Sequence, residues 1–251
     1  SNVNAFTDRR YTCYYVDVHK DHVASSIAMW ADMLLNSIFD KHEYEKEHEV
    51  VKDENQQSIN DFEAICFEAA DQQLYAGSPY EHEVDHIKYH IGKNPLDLET
   101  VYKVYKQYYI PSRMILSVCC PNSLSSVKTA VEKSDFAKHR HDVSVFPPLI
   151  LSLTPQNSAI YKFNTKARVP TTHICIGFRT CNIYNQDKYA LKILKNILGG
   201  KMSSRLFMTL REENGLTYSS SVYTDYFEHS GDFKIYAECD TEKVFKNGNK
   251  P

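Results

Sequence analysis

The order in which periodic segments follow one another constrains the fold of this chain more than any other feature. A β-rich run, Tyr11 to Val18, leads into a helical stretch opened by Asp21, with Val23, Ile27, Trp30, Leu34 and Ile38 spaced along one apolar face. Helices follow over 43–58 (highly charged), 61–75 (Phe62, Ile65, Ala69 and Gln72 on one side) and 97–108 (Leu98, Val101, Tyr105 and Tyr108 at helical steps). Arg113 to Cys120 reads as a strand, and Ser123 as the cap of a helix running to Lys133. Strands are expected at 158–165 and 172–179, a helix ending at Gly199-Gly200, a helix over 203–213, and two closing strands at 216–226 and 231–239. Gly199-Gly200 reads as an ordinary helix C-terminus. Strands and helices are grouped and do not alternate, which predicts an α+β fold with antiparallel sheets flanked by helices rather than a doubly wound sheet. Tyr11–Val18 running into Lys20-Asp21-His22 is echoed by Gly231–Cys239 running into Asp240-Thr241-Glu242. The echo predicts two related units, 1–136 and 158–251, the second incomplete, joined by a connector over 137–157 that holds Pro147-Pro148.

The chain has 251 residues, 42% hydrophobic and 24% charged, enough for two domains with real cores. Its net charge of −3, with both signs spread along the sequence, gives no basic face for nucleic acid. Its apolar runs, such as Met114–Cys120, are too short to span a membrane. The first residues, Ser1 to Phe6, lack both the features of a signal peptide and an initiator methionine. The seven cysteines are odd in number and form no C-x-x-C pair, which predicts buried free thiols in a reducing, intracellular compartment, cytoplasmic or organellar.

Three segments carry chemistry. Glu47 and Glu54 are seven residues apart in the charged helix, within about 20° of each other on one face. One can ligate a metal while the other supports the site, although a charge-rich helix is ordinarily a solvated one. His82-Glu83-Val84-Asp85-His86 matches H-E-x-x-H, the forward zinc-peptidase pattern, but follows Gly77-Ser78-Pro79 and sits among Glu81 and Lys88. His139 and His141 read as part of a solvated connector. Leu198-Gly199-Gly200-Lys201-Met202-Ser203-Ser204-Arg205-Leu206-Phe207, followed by Leu210-Arg211-Glu212-Glu213-Asn214-Gly215-Leu216-Thr217-Tyr218, is the most specific string in the chain. Taken alone, Arg211 reads as a partner for a nearby carboxylate and Tyr218 as a sheet residue.

Asn4-Ala5-Phe6-Thr7 with Thr12-Cys13-Tyr14-Tyr15, the helix segment Ala31–Asn36, and the 198–218 string together resemble the inverted-motif zinc peptidases of the pitrilysin, insulysin and mitochondrial processing peptidase family. The resemblance runs from Ser1 to about Val244 and is weakest over 80–95 and 135–157. It implies a fold of two α+β units with the substrate clamp in the second. It makes Glu54 the third zinc ligand, with Glu47 supporting the site. It makes Arg211 and Tyr218 the groups that bind the substrate carbonyl and stabilise the oxyanion. Asn4, Ala5 and Phe6 become the edge to which a peptide or unfolded segment adds as a strand. The family's two zinc histidines and its general-base glutamate lie in an H-x-x-E-H helix. By the family's spacing that helix falls about two dozen positions before Ser1. The function implied is zinc-dependent endopeptidase action, with this chain inactive by itself and pairing with itself or a related subunit. Two rival readings stand: a non-catalytic relative that binds substrate or scaffolds a complex, and a forward H-E-x-x-H peptidase using His82 and His86.

Overall fold

The computed structural model describes residues 2–58, 61–81, 84, 97–139 and 170–242. The chain divides into two compact units, Ser1–Gln56 with Val84–Leu149, and Gln57–Glu83 with Ile150–Pro251. The fold is α+β.

The first unit opens with an antiparallel hairpin, β1 (Asn2–Thr7) and β2 (Thr12–Asp17), in register from Asn2↔Asp17 to Thr7↔Thr12. Asp8 N donates to Tyr11 O at 2.8 Å and Arg10 N to Asp8 Oδ1 at 3.1 Å, an aspartate-stabilised turn. A 3-10 turn, Lys20–His22, leads into α1 (Val23–Leu35). The buried row of α1 is Ile27, Ala31 and Leu35, one position round from the face read in the sequence, and Ile38 lies beyond the helix at 88% exposure. The helix stops because Ser37 N donates to Tyr105 Oη and Phe39 adopts φ +49, its ring 4.8 Å from Tyr105 and 5.9 Å from Tyr102. A left-handed phenylalanine is uncommon, and these two rings hold it there.

The glutamate-bearing helix is α2 (Lys41–Ser58). Helix α4 (Leu98–Tyr108) is capped by Asp97, whose Oδ1 accepts Thr100 N at 2.7 Å. Beyond it, Tyr109 Oη meets Tyr14 Oη at 2.6 Å, and burial pushes the Tyr14 phenol above its usual range. Helices α5 (Leu124–Lys133, capped by Ser123 as expected) and α6 (Asp135–Lys138) pack on α1.

The strand expected over Arg113–Cys120 is not formed among the described residues. Pro111–Arg113 is a 3-10 turn, Met114 is extended, and 114–120 joins no ladder among the described residues. Its apolar residues have the propensity, but a strand exists only where a neighbour takes its N–H and C=O groups. Ile115 is accordingly 97% exposed.

The second unit holds a three-stranded antiparallel sheet in the order β3 (Thr171–Thr180), β5 (Gly231–Asp240), β4 (Thr217–Tyr226). Helix α3 (Phe62–Leu74), capped by Asp61, packs on β3 and so lies with this sheet rather than with the helices it follows in the chain. Phe67 sits between Tyr223 and Tyr236, ring centroids 4.9 and 5.3 Å away, and Phe62 lies 5.9 Å from the ring of His173. Leu74, Tyr75, Tyr80 and Phe227 form the core, with Tyr80 and Phe227 stacked at 4.3 Å. The connector, the strand at 158–165 and the H-E-x-x-H histidines lie outside the described residues.

Beside that core lies a buried ionic cluster. Lys234 Nζ stands 2.5 Å from Asp71 Oδ1 and 3.4 Å from Asp232 Oδ2, and Tyr75 Oη donates to Asp232 Oδ2 at 3.0 Å. Asp71 and Asp232 are wholly buried and Lys234 is 3% exposed. Burial lifts Asp232 to about 6 against the pull of Lys234. All seven cysteines are free thiols, and burial pushes Cys66 to about 11 and Cys175 to about 12, which leaves both unreactive near neutrality.

Helix α7 (Asp187–Gly199) packs on β4. The helix ends at Gly199 with Gly200 as its C-cap, as the sequence suggested, and neither glycine has a positive φ. A Cβ at Gly199 would fall 2.6 Å from Val222 Cγ2 and 2.7 Å from Val222 N. Gly199 is therefore required for close approach of helix to strand. Gly199→Ala is expected to cost about 1–3 kcal/mol, because the backbone of β4 must move, whereas overpacking onto a rotatable side chain alone costs less. A urea melt checks this; an unchanged midpoint would refute the close approach.

Candidate functional site

Helix α2 carries Glu47 and Glu54 on the first unit. Three of its other glutamates are spoken for by lysines of the same helix: Glu45 with Lys41 at 3.8 Å, Glu43 with Lys46 at 2.8 Å, and Glu49 with Lys52 at 3.0 Å. Glu47 belongs to none of those pairs, and both Glu47 and Glu54 are exposed. Such i,i+3 and i,i+4 pairs support a helix that buries little of itself. Among the described residues no group of three His, Cys, Asp or Glu side chains stands close enough to hold a metal ion. Glu54 can supply one ligand; the described residues do not complete a zinc site, which ordinarily takes three protein ligands.

Asn4, Ala5 and Phe6 lie mid-strand in β1, which is exposed along its whole length. Among the described residues β1 pairs only with β2, so its other edge presents backbone donors and acceptors without a ladder partner. Phe6 forms a ring cluster with Tyr11 (5.9 Å) and Tyr15 (6.4 Å) on that ribbon.

Arg211 and Tyr218 are both in the second unit, each at a backbone irregularity. The helix read over 203–213 is π-helical from Phe207 to Glu213, and Arg211 lies within that stretch, its guanidinium 5.1 Å from the ring centre of Phe207. π-Turns occur frequently at functional sites because the extra residue re-aims side chains. The chain then turns at Gly215, φ +57, whose N–H returns to Arg211 O at 3.0 Å. Three residues later the β4–β5 register shifts between Thr217 and Ser219, which makes Tyr218 a bulge residue, 55% exposed. Bulges likewise redirect a side chain next to active sites. The structure thus presents both predicted clamp residues to solvent from one short segment. Among the described residues it pairs neither Arg211 with a carboxylate nor Tyr218 with a packed sheet face. Sequence reading had not assigned any role to Phe207 under the guanidinium; its i−4 spacing from Arg211 was the available signal.

Residues 95–247 match the Peptidase M16 inactive domain, and residues 1–85 match Insulinase (Peptidase family M16). The chain is 31% identical over 237 residues to YmxG of Bacillus subtilis, an uncharacterized zinc protease, covering 93% of this chain and 55% of the relative. It is 26% identical over 250 residues to the uncharacterized zinc protease SCO5738 of Streptomyces coelicolor, covering 96% and 53%. It thus spans about half the length of these relatives. Its fold resembles a crystal structure of a protease from Helicobacter pylori, with a TM-score of 0.83 at 20% identity over 95% of this chain and 57% of that one. No described helix is long and apolar enough to cross a membrane. With both halves matched, the chain belongs to peptidase family M16, the family of pitrilysin and insulysin.

Proposed function

We propose that this chain supplies the glutamate helix and the substrate clamp of a zinc-dependent endopeptidase acting on peptides or unfolded segments. The observation that carries the reading is the exposed placement of Arg211 and Tyr218 on a π-turn and a β-bulge, in a chain of this family. In this reading Glu54 is the third zinc ligand, Glu47 orients it, and two histidines come from a segment N-terminal to Ser1. When bound, zinc would supply an activated water. The residues of this chain act on the substrate. The free edge of β1 at Asn4–Phe6 pairs with its backbone, which gives affinity without strict sequence preference. Arg211 and Tyr218 donate to the scissile carbonyl oxygen as it gains charge.

Zinc content tests the proposal. The polypeptide of the complete reading frame is expected to hold one equivalent of tight zinc and to cleave an unfolded peptide, with chelator abolishing cleavage. Glu54→Gln should lose the metal, and Glu47→Gln should weaken its binding roughly 10- to 100-fold. His82→Ala should change neither; if it alone removes the zinc, the forward motif is the site. The second reading is that of a non-catalytic subunit that binds peptide. Peptide binding without zinc or cleavage would establish that reading, a non-catalytic subunit acting with a related partner.

A further inference from the structure

The Arg211 guanidinium lies 5.1 Å over the centre of the Phe207 ring. Glu212 and Glu213 follow it directly in the chain, yet among the described residues no carboxylate pairs with Arg211, and the ring is the one ionic, hydrogen-bond or aromatic partner of its side chain. Arg211 is exposed, whereas Phe207 is partly buried at the start of the π-helical stretch. The ring is therefore the anchored member of the pair and the guanidinium the free one.

The kind of partner decides what the arginine can still do. A carboxylate would hold it through its N–H groups, the donors that an oxyanion needs. An aromatic face attracts the same charge through its quadrupole and takes none of the five donors as a carboxylate does. We propose that Phe207 is the positioning residue for Arg211, holding the guanidinium in place with its donors uncommitted. The catalytic meaning of this rests on the proposed role of Arg211 in binding the substrate carbonyl. An arginine without such a contact spreads over many rotamers and must be ordered as charge develops, a cost that a pre-placed donor avoids. A cation over a ring at an exposed site is worth a bias of roughly two- to five-fold.

In the 251-residue chain, the Arg211 side-chain resonances are expected to carry the ring-current shift of Phe207. Phe207→Leu and Phe207→Met, two apolar replacements without a ring, should both abolish the shift and leave the Val222 methyl resonances unchanged. Phe207→Tyr should retain it. Arg211 resonances in the same place with and without the ring overturn the proposal. In the polypeptide of the complete reading frame, Phe207→Leu should lower kcat roughly two- to five-fold at near-constant KM. Phe207→Tyr should keep the wild-type rate, and in an Arg211→Ala background Phe207→Leu should have no further effect. The same loss in that background would show that Phe207 acts independently of Arg211, and an equal loss in Phe207→Tyr that the ring is not what matters; either overturns the positioning role. If Arg211→Ala itself leaves kcat unchanged while the ring-current shift is present, the contact stands and the carbonyl-binding reading of Arg211 fails.

Discussion

Lys234→Ala is expected to remove about 3–5 kcal/mol of stability at neutral pH, and Lys234→Met nearly as much although it preserves the volume. The cause is the pair of wholly buried carboxylates, Asp71 and Asp232, that either change leaves without their cation. Scanning calorimetry should show the midpoint falling by about 10 °C. The deficit should depend on pH in a defined direction. Asp232 in the folded chain titrates near 6, above its ordinary 3.8, so this group favours the folded state in acid. That contribution is lost as pH rises from 3.8 through 6. In the wild type Lys234 faces Asp71 of α3, Asp232 of β5 and, at 3.8 Å, Asp225 of β4, with Tyr75, just past the end of α3, donating to Asp232. Burial works against the lysine's charge, but these carboxylates together outweigh it and hold the lysine above its ordinary range, so its ion pairs persist throughout the neutral range. Without it the carboxylates repel, and neutrality is regained only by protonation. The stability gap between wild type and either variant should therefore widen as pH rises through 6 and narrow toward pH 4. A gap that stays constant with pH would show that Lys234 contributes packing rather than charge.

The second large effect belongs to the clamp. In the zinc-loaded polypeptide of the complete reading frame, Arg211→Ala should lower kcat by about 10²–10³, as removal of one oxyanion donor does elsewhere. Tyr218→Phe, which deletes only the hydroxyl, should act in the same direction. Both residues are exposed, so their thermal stability should stay within about 0.5 kcal/mol of wild type. Equal kcat values in variant and wild type, with zinc bound, would remove these residues from the reaction. A rise in KM alone would recast them as general binding groups.

The parts of the fold legible in the sequence are those where local pattern and tertiary demand coincide. The Ser123 cap, the helix over 98–108 and the paired strands β4 and β5 each carry their own signal. The 113–120 segment finds no ladder partner among the described residues, and propensity alone does not supply one. The buried face of α1 was misread by one position because Ala31, the smallest residue of the row, carries little weight in a hydrophobic pattern and yet is fully buried. The ionic cluster was illegible for a related reason. Asp71 and Lys234 are the residue types that normally mark a solvated face, and nothing in either segment announces the other 163 positions away. Of the candidate site, the residue identities came from the resemblance. The π-turn and bulge that present them did not, since both depend on hydrogen-bond bookkeeping across residues that look ordinary one at a time.

The open edge of β1 has a consequence for handling the molecule. A strand that is exposed along its length, with Val3 and Phe6 about half exposed and one side of its backbone unpaired among the described residues, does not distinguish a peptide from another copy of itself. An edge proposed to recruit extended segments would therefore also set a concentration ceiling, above which copies join strand to strand and compete with any peptide offered to them.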